Sequence, residues 1–528
     1  MISAMNLGRL LSDTARLYPD LIGLVHGDEE WTWAQLDANA SAFRDALMKM
    51  GVNKGDRVMV QSRNNRAMFE SLWGIFKAGA VWVPSNFRQT PPEIAYVASN
   101  SGARAFLFEG VFAEHAAAAK ESSGDLEYLI SIGGSADDGT FDYDQLLADN
   151  AGAAAMEVAV EYSDPAWLFY TSGTTGRPKG AILTHGQMSF VTNNFMADLM
   201  PDLTKDDASI VVAPLSHGAG CHVFPQVVRG AKSVLMPGES MDPETVWQLV
   251  EKYRVSNAFT VPTIVKMLVE HPSVDKYDHS SLRHVIHAGA PMYLEDQKTA
   301  YEKLGPVLVE YYGQGEVTGC ITVLRPEHYI IDENDPRNRP GTCGLPRVGL
   351  EIAIRDTEGN ILPAGEQGEI CCKGPAVMAG YWENDKANAE VFQDGWFHTG
   401  DLGRVDDAGF VYITGRAKDM FISGGANVYP REIEEVMLTH PGVSEVAVLG
   451  IPDTKWGEVG VAVVVPTDQG ITAEELAGFI NKELSRYKHP KKYVFWDDLP
   501  KSGYGKVPKH LIRNTLYERG DLVEGQDL

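Results

Sequence analysis

Apolar residues recur along this chain with two alternating periods. Over residues 33–50 the apolar positions Leu36, Ala40, Phe43 and Leu47 fall three or four apart, the spacing of one helix face. Residues 56–61 (Asp-Arg-Val-Met-Val-Gln) read as a strand, 69–78 as a helix and 80–84 as another strand. The alternation continues through strands at 209–213, 258–261 and 284–287. A helix–strand rhythm of this kind predicts parallel sheets covered by helices. The alanine-rich stretch 116–120 predicts a helix, and the Gly- and Asp-rich stretch 133–140 a surface loop. Neither an internal repeat nor a long low-complexity tract is evident.

Near residue 415 the pattern changes. Residues 410–414 read as a strand, and the short polar stretch 415–419 reads as a linker. A second, smaller α/β unit follows. It has a helix over 430–438 with proline in its first turn and strands at 446–449 and 460–465. A helix over 472–484 opens on the capping pair Thr472 and Glu475. A chain of 528 residues also exceeds what one hydrophobic core organises, so two or more domains are expected.

Composition adds exclusions. With 44% hydrophobic and 22% charged residues, the chain reads as an ordinary soluble protein. A formal net charge of -26 argues against nucleic acid or an anionic membrane as the main partner. The five cysteines (Cys221, Cys320, Cys343, Cys371, Cys372) include no C-x-x-C pair, which fits a reducing compartment and offers no zinc site. Adjacent Cys371 and Cys372 are expected on opposite faces of a strand, as packing residues. No signal peptide and no apolar run of membrane-spanning length is evident. The expected location is cytoplasmic.

Chemistry concentrates in Tyr170-Thr-Ser-Gly-Thr-Thr-Gly-Arg-Pro-Lys-Gly180, which follows the apolar strand segment 167–170. Three glycines, four hydroxyls and two cations share one turn-rich loop. Glycines let backbone N–H groups converge on an anion, and hydroxyls and cations add donors. The loop suits a polyphosphate, although it is not a Gly-x-x-x-x-Gly-Lys-Ser/Thr loop. Arg177 and Lys179 supply the local positive charge that a polyanion needs in so acidic a chain.

Further segments follow in order: Tyr312-Gly-Gln-Gly-Glu316, Gly368-Glu-Ile-Cys-Cys-Lys-Gly374 leading to Gly380-Tyr381, Trp396-Phe-His-Thr-Gly-Asp401, Gly415-Arg-Ala-Lys-Asp419, Ser423-Gly-Gly-Ala-Asn427 and Pro500-Lys-Ser-Gly-Tyr-Gly-Lys506. Together with the loop at 170–180 they resemble the core motifs of the adenylate-forming (AMP-binding) superfamily, in its acyl-CoA synthetase branch. The resemblance runs through nearly the whole chain. It implies an α/β protein: a large N-terminal domain of sheets covered by helices, the adenylate-forming enzyme fold, with a small mobile α+β C-terminal lid domain. The expected domains are residues 1–415 and 416–528, with the hinge near Lys418.

The resemblance also implies the reaction and its participants. A carboxylic acid, ATP and coenzyme A would be the small-molecule partners, with Mg²⁺ as the metal cofactor. Such a site has to neutralise charge as two anions meet. Thr171, Ser172, Gly173, Thr174, Thr175 and Lys179 would hold the β- and γ-phosphates. Lys506 would sit between carboxylate and α-phosphate, and Glu316 would bind the metal. Tyr312 would pack on the adenine against Gly289, Ala290 and Pro291; the alternatives are an exposed or a core tyrosine. Gly313, Gln314 and Gly315 complete that strand end. Gly315 departs from the family's threonine, so backbone N–H or a nearby hydroxyl such as Thr318 would have to reach the α-phosphate instead. Asp401 would accept both ribose hydroxyls, with Arg416 adding a ribose or phosphate contact. His398 reads as packing rather than as a general base, since a carboxylic acid is already ionised at neutral pH.

A lid turning at Lys418 would present Lys506 for adenylation, then Ser423, Gly424 and Gly425 for the pantetheine arm of CoA. An ordinary Gly-Gly turn is the other reading. Arg486, Lys488, Lys491 and Lys492 form a basic cluster that suits either CoA phosphates or a solvated face. His217 reads as the mouth of an acyl pocket or as a core histidine. Gly218, Gly220, Gly313 and Gly319 suggest a roomy acyl wall. A medium or long aliphatic acid and an aromatic acid both remain open. A stand-alone adenylation enzyme serving a separate carrier protein is the alternative function. The sequence does not decide between a monomer and a homodimer.

Overall fold

The helix expected over 33–50 runs Trp33–Lys49 in a computed structural model of the chain. The structure describes residues 3–134, 139–154, 156–171, 177–238, 241–290, 292, 294–332, 334–501 and 507–523. Thr32 and Gln35 close a reciprocal capping box at the start of that helix. The next helix, Arg66–Lys77, begins a turn earlier than its apolar pattern suggests. The Asn65 side chain caps it by accepting from Met68 N at 2.9 Å. Every residue from 67 to 77 is buried, as befits a helix enclosed between layers.

Two large sheets lie on either side of such helices. One has seven strands, in the order Lys179–Thr184, Pro165–Thr171, Val81–Ser85, Arg57–Gln61, Ala105–Glu109, Tyr128–Ile132 and Thr140–Asp142. All neighbours are parallel except the first pair, a hairpin. The other has nine strands. At its centre Lys232–Leu235, Ala208–Val211, Asn257–Thr260, His284–His287 and Leu308–Tyr312 run parallel.

Period-2 alternation sorts the side chains into layers. Val58, Val60, Trp82 and Trp167 of the first sheet and Val211, Leu235, Ile286 and Tyr311 of the second share one core with the enclosed helices. The alternate residues Met59, Val81 and Phe106 face an outer helix layer, and Ile210, Val234 and Val285 face another. The strand expected at 209–213 stops at Val211, and Ala213 O instead accepts from Asn64 Nδ2 at 2.9 Å.

A third sheet joins Glu351–Arg355, Gly368–Lys373, Trp396–Val405 and Val411–Arg416. Cys371 and Cys372 do face opposite ways: Cys372 joins the main core, and Cys371 packs with Ala353 and Trp396. The linker reading of 415–419 needs correction. Gly415 and Arg416 are still strand, paired with Leu402 and Asp401. Polar composition concealed a ladder whose partner lies earlier in the chain.

The C-terminal part carries its own sheet around the long hairpin Val443–Asp453/Gly457–Pro466. Ala447, Leu449 and Val463 face one cluster, and Val446, Val448 and Val464 the other. The capping box at Thr472 and Glu475 is formed. Among the described residues no helix is long and apolar enough to cross a membrane.

Candidate active site

Neighbouring parallel strands His284–His287 and Leu308–Tyr312 end side by side. Their following turns, Gly289–Ala290 and Gly313–Glu316, therefore emerge together at the C-terminal edge of the sheet, where open α/β sheets bind ligands. Gly289 has φ +86°, a backbone that only glycine adopts without strain. The hairpin of the other sheet arrives at the same place, with Thr171 paired to Lys179 at its end. Ser172, Gly173, Thr174, Thr175, Pro291 and Lys506 lie outside the described residues.

Glu316 joins the two sheets. Its Oε1 accepts from Thr171 Oγ1 at 2.8 Å and from Tyr381 Oη at 2.9 Å. Its carbonyl accepts from Met378 N at 2.7 Å. Lys179 Nζ stands 4.9 Å from the centre of the Tyr381 ring, and Trp382 N donates to Gly180 O. Burial, with Glu316 beside it, pushes the Tyr381 hydroxyl up, so it remains a donor. Tyr381 received no role from the sequence. Both O–H donors converge on Oε1, so Oε2 meets no side-chain donor among the described residues. A carboxylate with one oxygen left unmet by the described side-chain donors fits Mg²⁺.

Asp401 is 4% exposed. Its Oδ2 accepts from Tyr312 Oη and Gln314 Nε2, both at 2.7 Å. Its Oδ1 faces Arg416 Nε at 3.1 Å. Asp401 raises the Arg416 pKa, and burial followed by Asp401 raises that of Tyr312. Tyr312 is thus anchored through its hydroxyl.

Beneath this turn, Glu369 accepts from Gly400 N at 2.9 Å and pairs with His398 Nδ1 at 2.8 Å. Glu369, Cys371 and His398 have metal-ligand spacing. However, Arg355 Nη1 lies 3.5 Å from His398 Nε2, and a resident guanidinium favours a hydrogen-bonded network over a second cation. His398 is a structural group here.

His217 precedes the helix Gly218–Arg229 without a side-chain capping bond to it, its ring 4.7 Å from that of Phe169. Three near-parallel rings follow: His222 stacks on Phe259 at 4.1 Å, and Tyr311 lies 5.8 Å from Phe259. The roominess expected of the glycines is absent at two of them. A Cβ on Gly313 would stand 2.2 Å from Gly319 O, and one on Gly220 2.4 Å from Leu215 O. Backbone already occupies those places. Gly218 and Gly319 instead front Phe259 and Tyr311.

Thr318 does not replace the missing threonine. It is 1% exposed, its Oγ1 donates to Val317 O at 2.6 Å, and it accepts from Arg347 Nη1 at 3.3 Å. The place of a side chain at 315 is taken by Phe169 and Thr171, 2.6 and 2.9 Å from a Cβ built there. Sequence reasoning also missed Arg347, 1% exposed, which donates to Cys320 O at 2.9 Å and so clamps the loop after Glu316. A lone arginine in the apolar run Gly344-Leu-Pro-Arg-Val-Gly-Leu350 is the only available signal.

In the C-terminal part, Gly424 (φ +58°) and Gly425 (φ +83°) form the two-residue tip of a hairpin. Trp456 covers Gly424, while nothing lies within 4 Å of a Cβ on Gly425. Ser423 pairs with Gly457. Lys418 is exposed in the turn that follows Arg416. In the basic cluster, Lys488 pairs with Glu432 and Lys492 with Asp521 O, so half of it serves the domain's own structure.

A family model described as AMP-binding enzyme matches residues 11–382, and one described as AMP-binding enzyme C-terminal domain matches 432–506. A feruloyl-CoA synthase of Amycolatopsis is 37% identical over 95% of this chain and 97% of that protein. The long-chain-fatty-acid–CoA ligase FadD13 of Mycobacterium tuberculosis is 34% identical over 96% and 98%. Among solved structures, an anthranilate CoA ligase in complex with anthranoyl-AMP superposes with TM-score 0.88 at 26% identity, covering 98% of both chains. ATP-bound MatB from Rhodopseudomonas palustris superposes with TM-score 0.85 at 29% identity, covering 98% of this chain and 100% of that one.

Proposed function

This chain belongs to the AMP-binding enzymes, and from that membership we propose that it joins a carboxylic acid to coenzyme A in two steps. A carboxylate oxygen attacks the α-phosphorus of ATP, forming the acyl–phosphate bond as pyrophosphate leaves. The CoA sulfur then attacks the acyl carbon, the bond to AMP breaks, and the thiol proton passes to solvent. One observation carries this reading. A single short segment, 312–316, reaches Asp401 through Tyr312 and Gln314 and the phosphate loop through Glu316. One nucleotide held at its ribose and its phosphates suits that span.

In this reading Thr171 and Lys179 flank the phosphates, and Glu316 would hold Mg²⁺, which supplies charge neutralisation. Asp401 and Arg416 meet the ribose, and Gly289 and Ala290 border the adenine. Lys506 draws the two anions together, and the Gly425 tip admits the pantetheine arm. The hinge is assigned to Lys418, with residues 1–415 and 416–528 as the two domains. The aromatic set at His222, Phe259 and Tyr311 supports an aromatic acid, as do the feruloyl and anthranilate ligases among the similar proteins. Five buried, unbridged thiols support the cytoplasm as its compartment.

The test is a panel of aromatic and aliphatic acids assayed for AMP release with and without CoA. Stoichiometric AMP and acyl-CoA are expected. Acid-dependent pyrophosphate exchange without any CoA thioester would instead assign the acyl group to a carrier protein.

A further inference from the structure

We infer that the acyl site ends in a polar subsite, formed by His222, Gln226 and Ser233, that selects an aromatic acid bearing a hydroxyl remote from its carboxylate. The inference rests on the acid–CoA ligase reading and narrows its substrate class.

The helix Gly218–Arg229 sets the geometry. Gly218, His222 and Gln226 recur every four residues and share one face. From the mouth at Gly218 to Gln226 that face advances about 12 Å. Gly218 lies against the Phe259 ring, His222 stacks on the same ring, and Gln226 follows one turn deeper. The wall is aromatic near the mouth and polar beyond it.

At the polar end three buried groups stand partly unpaired. Gln226 Nε2 donates to Asn257 Oδ1 at 2.8 Å, but Gln226 Oε1 has no partner. His222 Nε2 meets Tyr311 Oη at 3.3 Å, but His222 Nδ1 has none. Ser233 Oγ, on the adjacent strand, also has none. Gln226 is 1% exposed, Ser233 0% and His222 5%. All three line one small cavity, whose wall includes Ala219 and Phe259. Phe259 and His222 thus belong both to this cavity and to the aromatic face behind Gly218.

Buried polar atoms are expected to be hydrogen-bonded. An alkyl tail would leave all three unsatisfied and would remove any water that served them. A hydroxyl both donates and accepts. It can donate to Gln226 Oε1 and accept from Ser233 Oγ. Burial lowers the His222 pKa to about 3, so the ring is neutral. Its Nδ1 is then donor or acceptor according to tautomer, and it meets a hydroxyl of either orientation. The subsite favours a neutral, two-way hydrogen-bonding group.

The experiment compares matched aryl acids, one with a para hydroxyl and one with a methyl in its place, by kcat/KM for AMP release. The native chain should prefer the hydroxyl acid by at least about tenfold, because a site with unpaired polar groups rejects the analogue that cannot pair them. Gln226→Leu and the milder Ser233→Ala should each narrow that ratio to under about threefold. A native ratio near one would overturn the inference. So would variants that leave the ratio unchanged, since the cavity would then hold only structural water. Both of those results still show adenylation of an aryl acid, so they sink the subsite alone. Absence of AMP release with every acid would sink the ligase reading as well.

Discussion

Replacing Gly315 with the family's threonine should harm this protein. A Cβ at 315 would lie 2.6 Å from Phe169 Cδ1 and Cε1 and 2.9 Å from Thr171 Cγ2. Carbon atoms attract only at roughly 3.5–4.0 Å. Phe169 is hard to displace: it is 6% exposed, with Trp167 and His217 rings at 5.4 and 4.7 Å. Thr171 has to move, and with it the 2.8 Å bond to Glu316 Oε1. A hydrogen bond to a charged group contributes about 1.5–3 kcal/mol, which is roughly a 10- to 150-fold loss in kcat/KM if it acts in the transition state. Overpacking should add a stability loss of about 1–3 kcal/mol. ATP–pyrophosphate exchange and the thermal midpoint read the two effects. Gly315→Ala places the same Cβ, so both variants should fall together. A silent alanine variant, or a threonine variant with higher exchange and an unchanged midpoint, would refute the contact argument.

Tyr381→Phe removes one of two O–H donors on Glu316, so exchange should fall roughly tenfold with a higher Mg²⁺ requirement; an unchanged Mg²⁺ titration would contradict the assigned metal role. Lys506→Ala should abolish adenylation yet largely spare thioester formation from pre-made acyl-adenylate, and Gly425→Leu should do the reverse; equal loss in both half-reactions would contradict two lid poses. Burial raises the Glu310 pKa from 4.5 to about 7, so the native state binds more protons than the unfolded chain between those values. Stability should therefore fall by up to about 3 kcal/mol as pH rises through that window. Glu310→Gln, which keeps an acceptor for Tyr329, should flatten the fall of the thermal midpoint between about pH 5 and 8; a slope equal to the native one would exonerate Glu310.

What the sequence revealed was local. Hydrophobic period exposed the helices and the parallel strands, because each element's own burial pattern is written in its own residues. Thr171, Glu316 and Asp401 stood out because glycine-rich turns surround them. Tyr381 closed one of the motifs but received no role, because its partner Glu316 lies 65 positions away and nothing near Tyr381 announces the pairing. Arg347 was missed for the opposite reason: arginine is ordinarily exposed, and its buried posture depends on Asn194, which accepts from Nε, and on the 317–320 loop. The glycines misled in a third way. A glycine reports that a side chain is missing but not what fills its place, and at Gly220 and Gly313 backbone does.

In the proposed function, the register of one strand pair would tie nucleotide grip to lid geometry. A ribose diol bound wholly by Asp401 needs two free acceptor positions. Oδ2 already accepts twice, from Tyr312 and Gln314, and a carboxylate oxygen has two lone pairs. Oδ1 has one position left beside Arg416. The second hydroxyl therefore competes with the Arg416 guanidinium for the same oxygen. Arg416 is no free surface residue: it is the last residue of strand Val411–Arg416, paired directly with Asp401. The turn through Lys418 begins at the next residue, where Ala417 N donates to Gly400 O. In the proposed reading, with the ribose at Asp401 and the hinge at Lys418, a backbone rotation at that turn would pull on the residue that contests the ribose oxygen, so ribose occupancy and hinge position would share a single group.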